Sequence, residues 1–149
     1  MDPGKYGLQY STKYNYHNTW CAGLSVYVGG NMIGVAGLGK SGISAATLLL
    51  KNNEAVILFD SNKELNKEEI LAKFDKAYHK NINIILGELK KSDLEDMSYL
   101  VISPGIDLET DFVQVLKANN IPIWSEIELG FKYDKGGLIA ITGTNGKTT

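Results

Sequence analysis

The fold class legible in the sequence is α/β, a parallel sheet with flanking helices. Three observations predict it. Short apolar runs recur between residues 33 and 142, and stretches of helical character separate them. One of those runs, Ala55-Val56-Ile57-Leu58-Phe59, is apolar throughout rather than alternating, as a strand covered on both faces must be. The first run opens directly into Gly37-Leu38-Gly39-Lys40-Ser41-Gly42, a glycine spacing that turns a strand into a helix.

That turn organises the rest. Residues 33–36 form the strand before it, and Ile43-Ser44-Ala45-Ala46-Thr47-Leu48-Leu49-Leu50 carries the helix after it. The first glycine permits the sharp turn, and the second lets the backbone come close to a ligand. The third lets the helix pack against the strand, leaving its unpaired N–H groups aimed at an anion. Lys40 and Ser41 add a positive charge and a hydroxyl donor at the same point. A glycine-rich turn that binds nothing has the same spacing, so the motif needs support from its surroundings.

Beyond the turn, strands and helices alternate. Asn52-Asn53 closes the first helix, and the second strand, 55–59, ends at Asp60-Ser61-Asn62. Residues 67–80 predict one helix, with Ile70, Leu71, Phe74, Ala77 and Tyr78 on a single face. A third strand spans 82–86, a short helical start 92–95, and a fourth strand 99–103. Pro104-Gly105 breaks that strand, and Thr110 caps a helix over 111–118. Residues 121–124 predict a fifth strand, placed at a sheet edge because Pro122 cannot donate to a ladder. A helix over 125–131 and a sixth strand over 138–142 complete the series. Strands and helices alternating at this spacing imply right-handed parallel crossovers and a Rossmann-like sheet, with ligands at the strands' carboxyl ends. The glycine turn, Asp60 and Ser103 all fall at such ends.

Composition narrows the function. A formal charge of −2 argues against nucleic acid or an anionic membrane surface as partner, and no apolar run reaches the length of a bilayer span. Every one of the 15 basic residues is Lys, so an anion must be held by backbone N–H groups, Lys and hydroxyls rather than by an Arg fork. A single cysteine, Cys21, excludes an internal disulfide and suits a reducing, cytoplasmic setting. Residues 1–31 differ from the rest of the chain: five of the eight tyrosines and Trp20 lie there among Gly, Asn, Ser and Thr. They are read as a leader foreign to the domain, of fusion or vector origin or an added hairpin, with an aromatic binding surface as the alternative. His17 and Cys21 lack the remainder of a metal-ligand set.

The final residues, Thr142-Gly143-Thr144-Asn145-Gly146-Lys147-Thr148-Thr149, have the form of a phosphate-cradling P-loop after a strand. The strict pattern would place Gly at 141, where this chain has Ile141. With GLGKSG after the first strand, Asp60 after the second, Ser103-Pro104-Gly105-Ile106 after the fourth and Glu126-Ile127-Glu128-Leu129 before the last, residues 33–149 resemble the Mur ligase family. The likeness is to the N-terminal region of its D-glutamate-adding branch.

The resemblance implies an ADP-forming amide ligase of peptidoglycan synthesis. ATP would phosphorylate the carboxylate of UDP-N-acetylmuramoyl-L-alanine, and D-glutamate would attack the acyl phosphate. Gly39, Lys40 and Ser41 would lie at the diphosphate and Asp60 and Ser61 near the uracil. Ser103, Pro104 and Gly105 would border the diphosphate and sugar. Asn62 stands where some members carry a basic residue. Gly143, Thr144, Asn145, Gly146, Lys147, Thr148 and Thr149 would hold ATP, with the Thr148 hydroxyl on Mg²⁺. The implied division is 1–31 leader, 32–130 UDP-sugar-binding domain and 131–149 the opening of a central ATPase domain, a fragment expected to be inactive by itself. Two other classes fit the glycine turn: an NAD(P)-binding dehydrogenase domain, in which Asp60 would hold a ribose hydroxyl, and a non-enzymatic nucleotide-binding module. A P-loop beginning near 142 does not fit the dehydrogenase.

Overall fold

A computed structural model describes residues 31–136. The expected leader, apart from Asn31, and the sixth strand and P-loop lie outside the described residues. Five strands form one parallel sheet: β1 (Met32–Ala36), β2 (Val56–Asp60), β3 (Ile82–Leu86), β4 (Met97–Ile102) and β5 (Ile123–Ser125). Four α-helices accompany them: α1 (Lys40–Lys51), α2 (Lys67–Leu71), α3 (Asp111–Ala118) and α4 (Glu126–Tyr133). Strand order is β3-β2-β1-β4-β5, so the Rossmann-like α/β architecture is as predicted, and among the described residues β5 takes the expected edge.

The period of two along each strand feeds two cores. Ile33, Val35, Leu58 and Val101 meet Leu49 of α1, Ile70 of α2 and Leu129 of α4 on one face. Ala36, Ile57, Phe59, Leu100 and Ile102 meet Val113 and Leu116 of α3 on the other. Both faces of β2 are therefore buried, which is why its sequence never alternates with polar residues.

Two local expectations differ. The predicted helix over 67–80 is two pieces, α2 and a 3₁₀ turn at Lys76–Asn81. Lys73 and Phe74 N–H groups bond to Ile70 and Leu71 carbonyls three residues back, tightening the end of α2. Asp75 then takes an extended backbone, and its carboxylate accepts the Ala77 N–H at 2.9 Å, restarting the chain as a new turn. An aspartate that captures a backbone N–H ahead of it competes with continuing the helix. The helical spacing of apolar residues still places Ile70 and Phe74 in the core. Thr110 sits at the N-cap position of α3, but its hydroxyl donates to the Asp107 carbonyl at 3.0 Å and makes no cap bond.

α4 is held at both ends. Ser125 and Glu128 form a reciprocal capping box: the Ser125 N–H donates to Glu128 Oε2 at 2.6 Å and the Glu128 N–H to Ser125 Oγ at 3.2 Å. The Ser125 N–H foremost, and the Ser125 hydroxyl after it, hold the Glu128 carboxyl below its ordinary value. At the far end Lys132 Nζ donates to the Tyr99 hydroxyl at 3.2 Å and lies 4.8 Å from that ring's centre, while Tyr99 stacks on Trp124 at 4.4 Å. Tyr133 donates to Glu54 Oε1 at 3.0 Å, and burial, with Tyr99 and Glu54 beside it, pushes its phenol well above the usual range.

Candidate functional site

The chain leaves β1 toward β2 and β3 on one side and crosses to β4 and β5 on the other, so strand order reverses between β1 and β4. The two connections part there and leave a crevice beyond the carboxyl ends. The glycine turn and Ser103 stand on either side of it.

Three interactions set the turn's shape. Gly37 has φ +88°, a left-handed conformation open to glycine, and its N–H donates to the Phe59 carbonyl at 2.9 Å. The Leu38 N–H donates to Asp60 Oδ2 at 3.0 Å. Gly42 lies directly beneath the turn, where a Cβ would collide with the Gly37 carbonyl oxygen and come within 3.4 Å of Ser103 Oγ. Close helix–strand packing is thus a property of the third glycine. A Cβ at Gly39, by contrast, would meet no described atom within 4 Å. The second glycine faces open space at the N-cap of α1, and α1 has no acidic residue in its first turn.

The sequence-predicted residues distribute unevenly. Gly39, Lys40 and Ser41 are exposed at the start of α1, with their backbone at the crevice. Ser103 follows β4, its N–H donating to the Ala36 carbonyl at 3.2 Å, and the turn closes when the Ile106 N–H reaches the Ser103 carbonyl at 3.1 Å. Pro104 and Gly105 are exposed in that turn. Asp60 binds the turn as well as bordering it: besides Leu38, its Oδ1 accepts the Asn62 N–H at 3.0 Å. Ser61 is exposed beside it. Residues 143–149, expected to hold ATP, lie outside the described residues.

Glu126 is a functional candidate that the reading of single residues missed. It opens α4, and its Oε1 accepts the Ser103 hydroxyl at 2.9 Å. With Lys40, Ser41, Ser44, Ala45, Leu48 and Leu129 it lines an open cavity of about 600 Å³ between α1 and α4. The available signal was its place one residue after the Ser125 cap, at a strand's carboxyl end.

A parallel sheet whose glycine turn and helix start meet at the reversal of strand order defines a Rossmann-like α/β domain with a helix N-terminus at its crevice. Residues 31–125 match the family model described as Mur ligase MurD-like, N-terminal domain. The chain belongs to that family. It is 45% identical over 120 residues to the UDP-N-acetylmuramoylalanine--D-glutamate ligase of Lachnoclostridium phytofermentans, covering 80% of this chain and 26% of that protein. The ligase of the same name from Lachnospira eligens is 44% identical over 115 residues, 77% of this chain and 25% of its own. That from Caldanaerobacter subterraneus is 38% identical over 115 residues, again 77% and 25%. The chain spans about a quarter of the length of these relatives.

Proposed function

We propose that this chain is the N-terminal, UDP-sugar-binding part of an ATP-dependent, cytoplasmic ligase that joins D-glutamate to UDP-N-acetylmuramoyl-L-alanine during peptidoglycan synthesis. The observation that carries this reading is the meeting of the Gly37–Gly42 turn with Ser103 at the β1/β4 crevice, in a domain of the MurD-like family. The N–H groups of the first turn of α1 take the diphosphate, with Lys40 supplying charge and Ser41 a hydroxyl. Asp60 and Ser61 approach the uracil. The Asp60 carboxylate already accepts two backbone N–H groups, and its oxygens have lone pairs left for a third donor.

Residues 32–130 form this binding unit and 131–149 open the ATPase unit. Thr148 and Lys147 would hold Mg²⁺ and the ATP phosphates there. The acyl phosphate formed on the substrate carboxylate supplies the chemistry of ligation, and the groups named here bind and orient the nucleotide end. The 149-residue chain by itself binds without ligating, since charge neutralisation and amino-acid positioning require groups beyond those named.

An NMR titration tests this with UDP-N-acetylmuramoyl-L-alanine, UDP and NAD in parallel. Amide shifts are expected at 38–42, 60–62 and 103–106, saturating with Kd of roughly 0.1–1 mM, or about −5 kcal/mol. Tighter, saturable binding of NAD would refute the ligase reading in favour of a dehydrogenase domain.

A further inference from the structure

Ser103 has its single hydroxyl proton committed: Oγ donates to Glu126 Oε1 at 2.9 Å. A serine hydroxyl has one proton and two lone pairs. What Ser103 can still offer the crevice is therefore an acceptor. Phosphate oxygens are acceptors too, and the adjacent carboxylate repels them. The one ion pair among the described residues joins Lys117 to Glu109, so among them Glu126, which lines the neighbouring cavity between α1 and α4, has no paired cation. On the opposite wall the first turn of α1 carries Lys40, Ser41 and no acidic residue.

Both partners are held in place. Ser103 is tied by its N–H to Ala36, and its Cβ lies 3.2 Å from where a Gly37 Cβ would be. Glu126 is the first residue of α4, whose start is pinned by the Ser125–Glu128 box and by buried Leu129. A carboxylate is also favoured at a helix N-terminus, which keeps Glu126 at this position.

We propose that Glu126 is a positioning residue that sets ligand specificity. It holds Ser103 as a hydrogen-bond acceptor, so the β4 end reads a hydroxyl or amide N–H on the sugar part of the ligand while the first turn of α1 takes the diphosphate. This rests on the UDP-sugar reading above and divides that site into a donor-reading half and an anion-reading half.

The test uses the 149-residue chain and two probes, UDP-N-acetylmuramoyl-L-alanine and UDP, whose affinity ratio isolates the sugar part. Glu126→Ala frees the Ser103 proton and is expected to lower the ratio roughly three- to tenfold, with UDP itself bound as well or better. Glu126→Gln keeps an acceptor for Ser103 and is expected to hold the ratio within about twofold. Ser103→Ala is expected to lower the ratio as Glu126→Ala does, and the double variant to lose no more than either single one, since the two act as a unit. A folded Glu126→Ala protein with an unchanged ratio, or additive losses in the double variant, would overturn the assignment. Should Glu126→Ala fail to fold, Ser103→Ala decides alone by lowering the ratio or leaving it unchanged. Wild-type protein that binds neither probe would remove the UDP-sugar reading together with this inference. Wild-type binding with an unaltered variant ratio removes the inference only.

Discussion

Replacing Gly42 by alanine sets two physical effects against each other. Gly42 lies in α1, where helix propensity alone makes alanine better by about 1 kcal/mol. The site denies that gain. A Cβ there would overlap the Gly37 carbonyl oxygen and stand 3.0 Å from the Gly37 carbonyl carbon. Both are backbone atoms, so no rotamer change relieves them. The turn's own freedom is limited because Gly37 donates to Phe59 and Leu38 to Asp60. Forcing α1 away from the strand belongs at or beyond the upper end of overpacking costs, about 3 kcal/mol. Set against the propensity gain, the net loss is about 2 kcal/mol. For a domain of this size that lowers Tm by roughly 8–16 °C. The control is Gly39→Ala, whose Cβ meets nothing within 4 Å. There the cost is the weaker N-cap, about 0.5–1 kcal/mol, and under the proposed function nucleotide binding is expected to weaken, because the methyl group would fill open space at the start of α1. Thermal denaturation followed by circular dichroism, with the NMR titration as the binding assay, separates the two. A Gly42→Ala protein as stable as wild type, or more so, would refute the packing argument and leave propensity in control.

Asp60→Ala should destabilise the domain by about 1–3 kcal/mol because the N–H of buried Leu38 loses its acceptor, whereas Asp60→Asn, which keeps a side-chain oxygen, should cost markedly less; equal denaturation midpoints for the two variants would show that the Leu38 contact contributes little. The Glu128 carboxyl titrates below its ordinary value of 4.5 in the folded chain, so its contribution to stability is present above that pH and is lost as pH falls through the lower folded value. Ser125→Ala removes the hydroxyl half of the box and should cost about 1 kcal/mol near neutrality, whereas Glu128→Gln, which leaves no carboxylate to titrate, should flatten the stability profile below pH 4.5; an unaltered acid limb for Glu128→Gln in urea titrations would argue against Glu128 as its source.

Much of this protein was legible from its residues alone, because the signals are local. An apolar run buried on both faces reads as a strand from its own residues, as 55–59 did for β2. A glycine spacing that only a tight strand–helix turn can use reads from six residues, and α1 begins inside it at Lys40. Pro122 pointed to an edge strand because a missing N–H is a property of the residue itself, and β5 ends the sheet among the described residues. The break at Asp75 was harder. Helical periodicity places Ile70 and Phe74 on one face whether or not the backbone between them and Tyr78 is continuous, and the competition between an aspartate side chain and the helix is settled by the core that buries Phe74. The tertiary structure alone decided what crosses the crevice. Leu38 meets Asp60 across 22 residues and Ser103 meets Glu126 across 23; the spacing that places Asp60 at a strand end does not say that its carboxylate accepts the Leu38 N–H, and no spacing rule links Ser103 to Glu126. Those contacts exist because strand order places β2 and β4 on opposite sides of β1, bringing three strand ends and the starts of two helices together. Residue types at strand ends specify which groups can bind. Their hydrogen-bond partners across the sheet determine whether each is left to bind as a donor or as an acceptor.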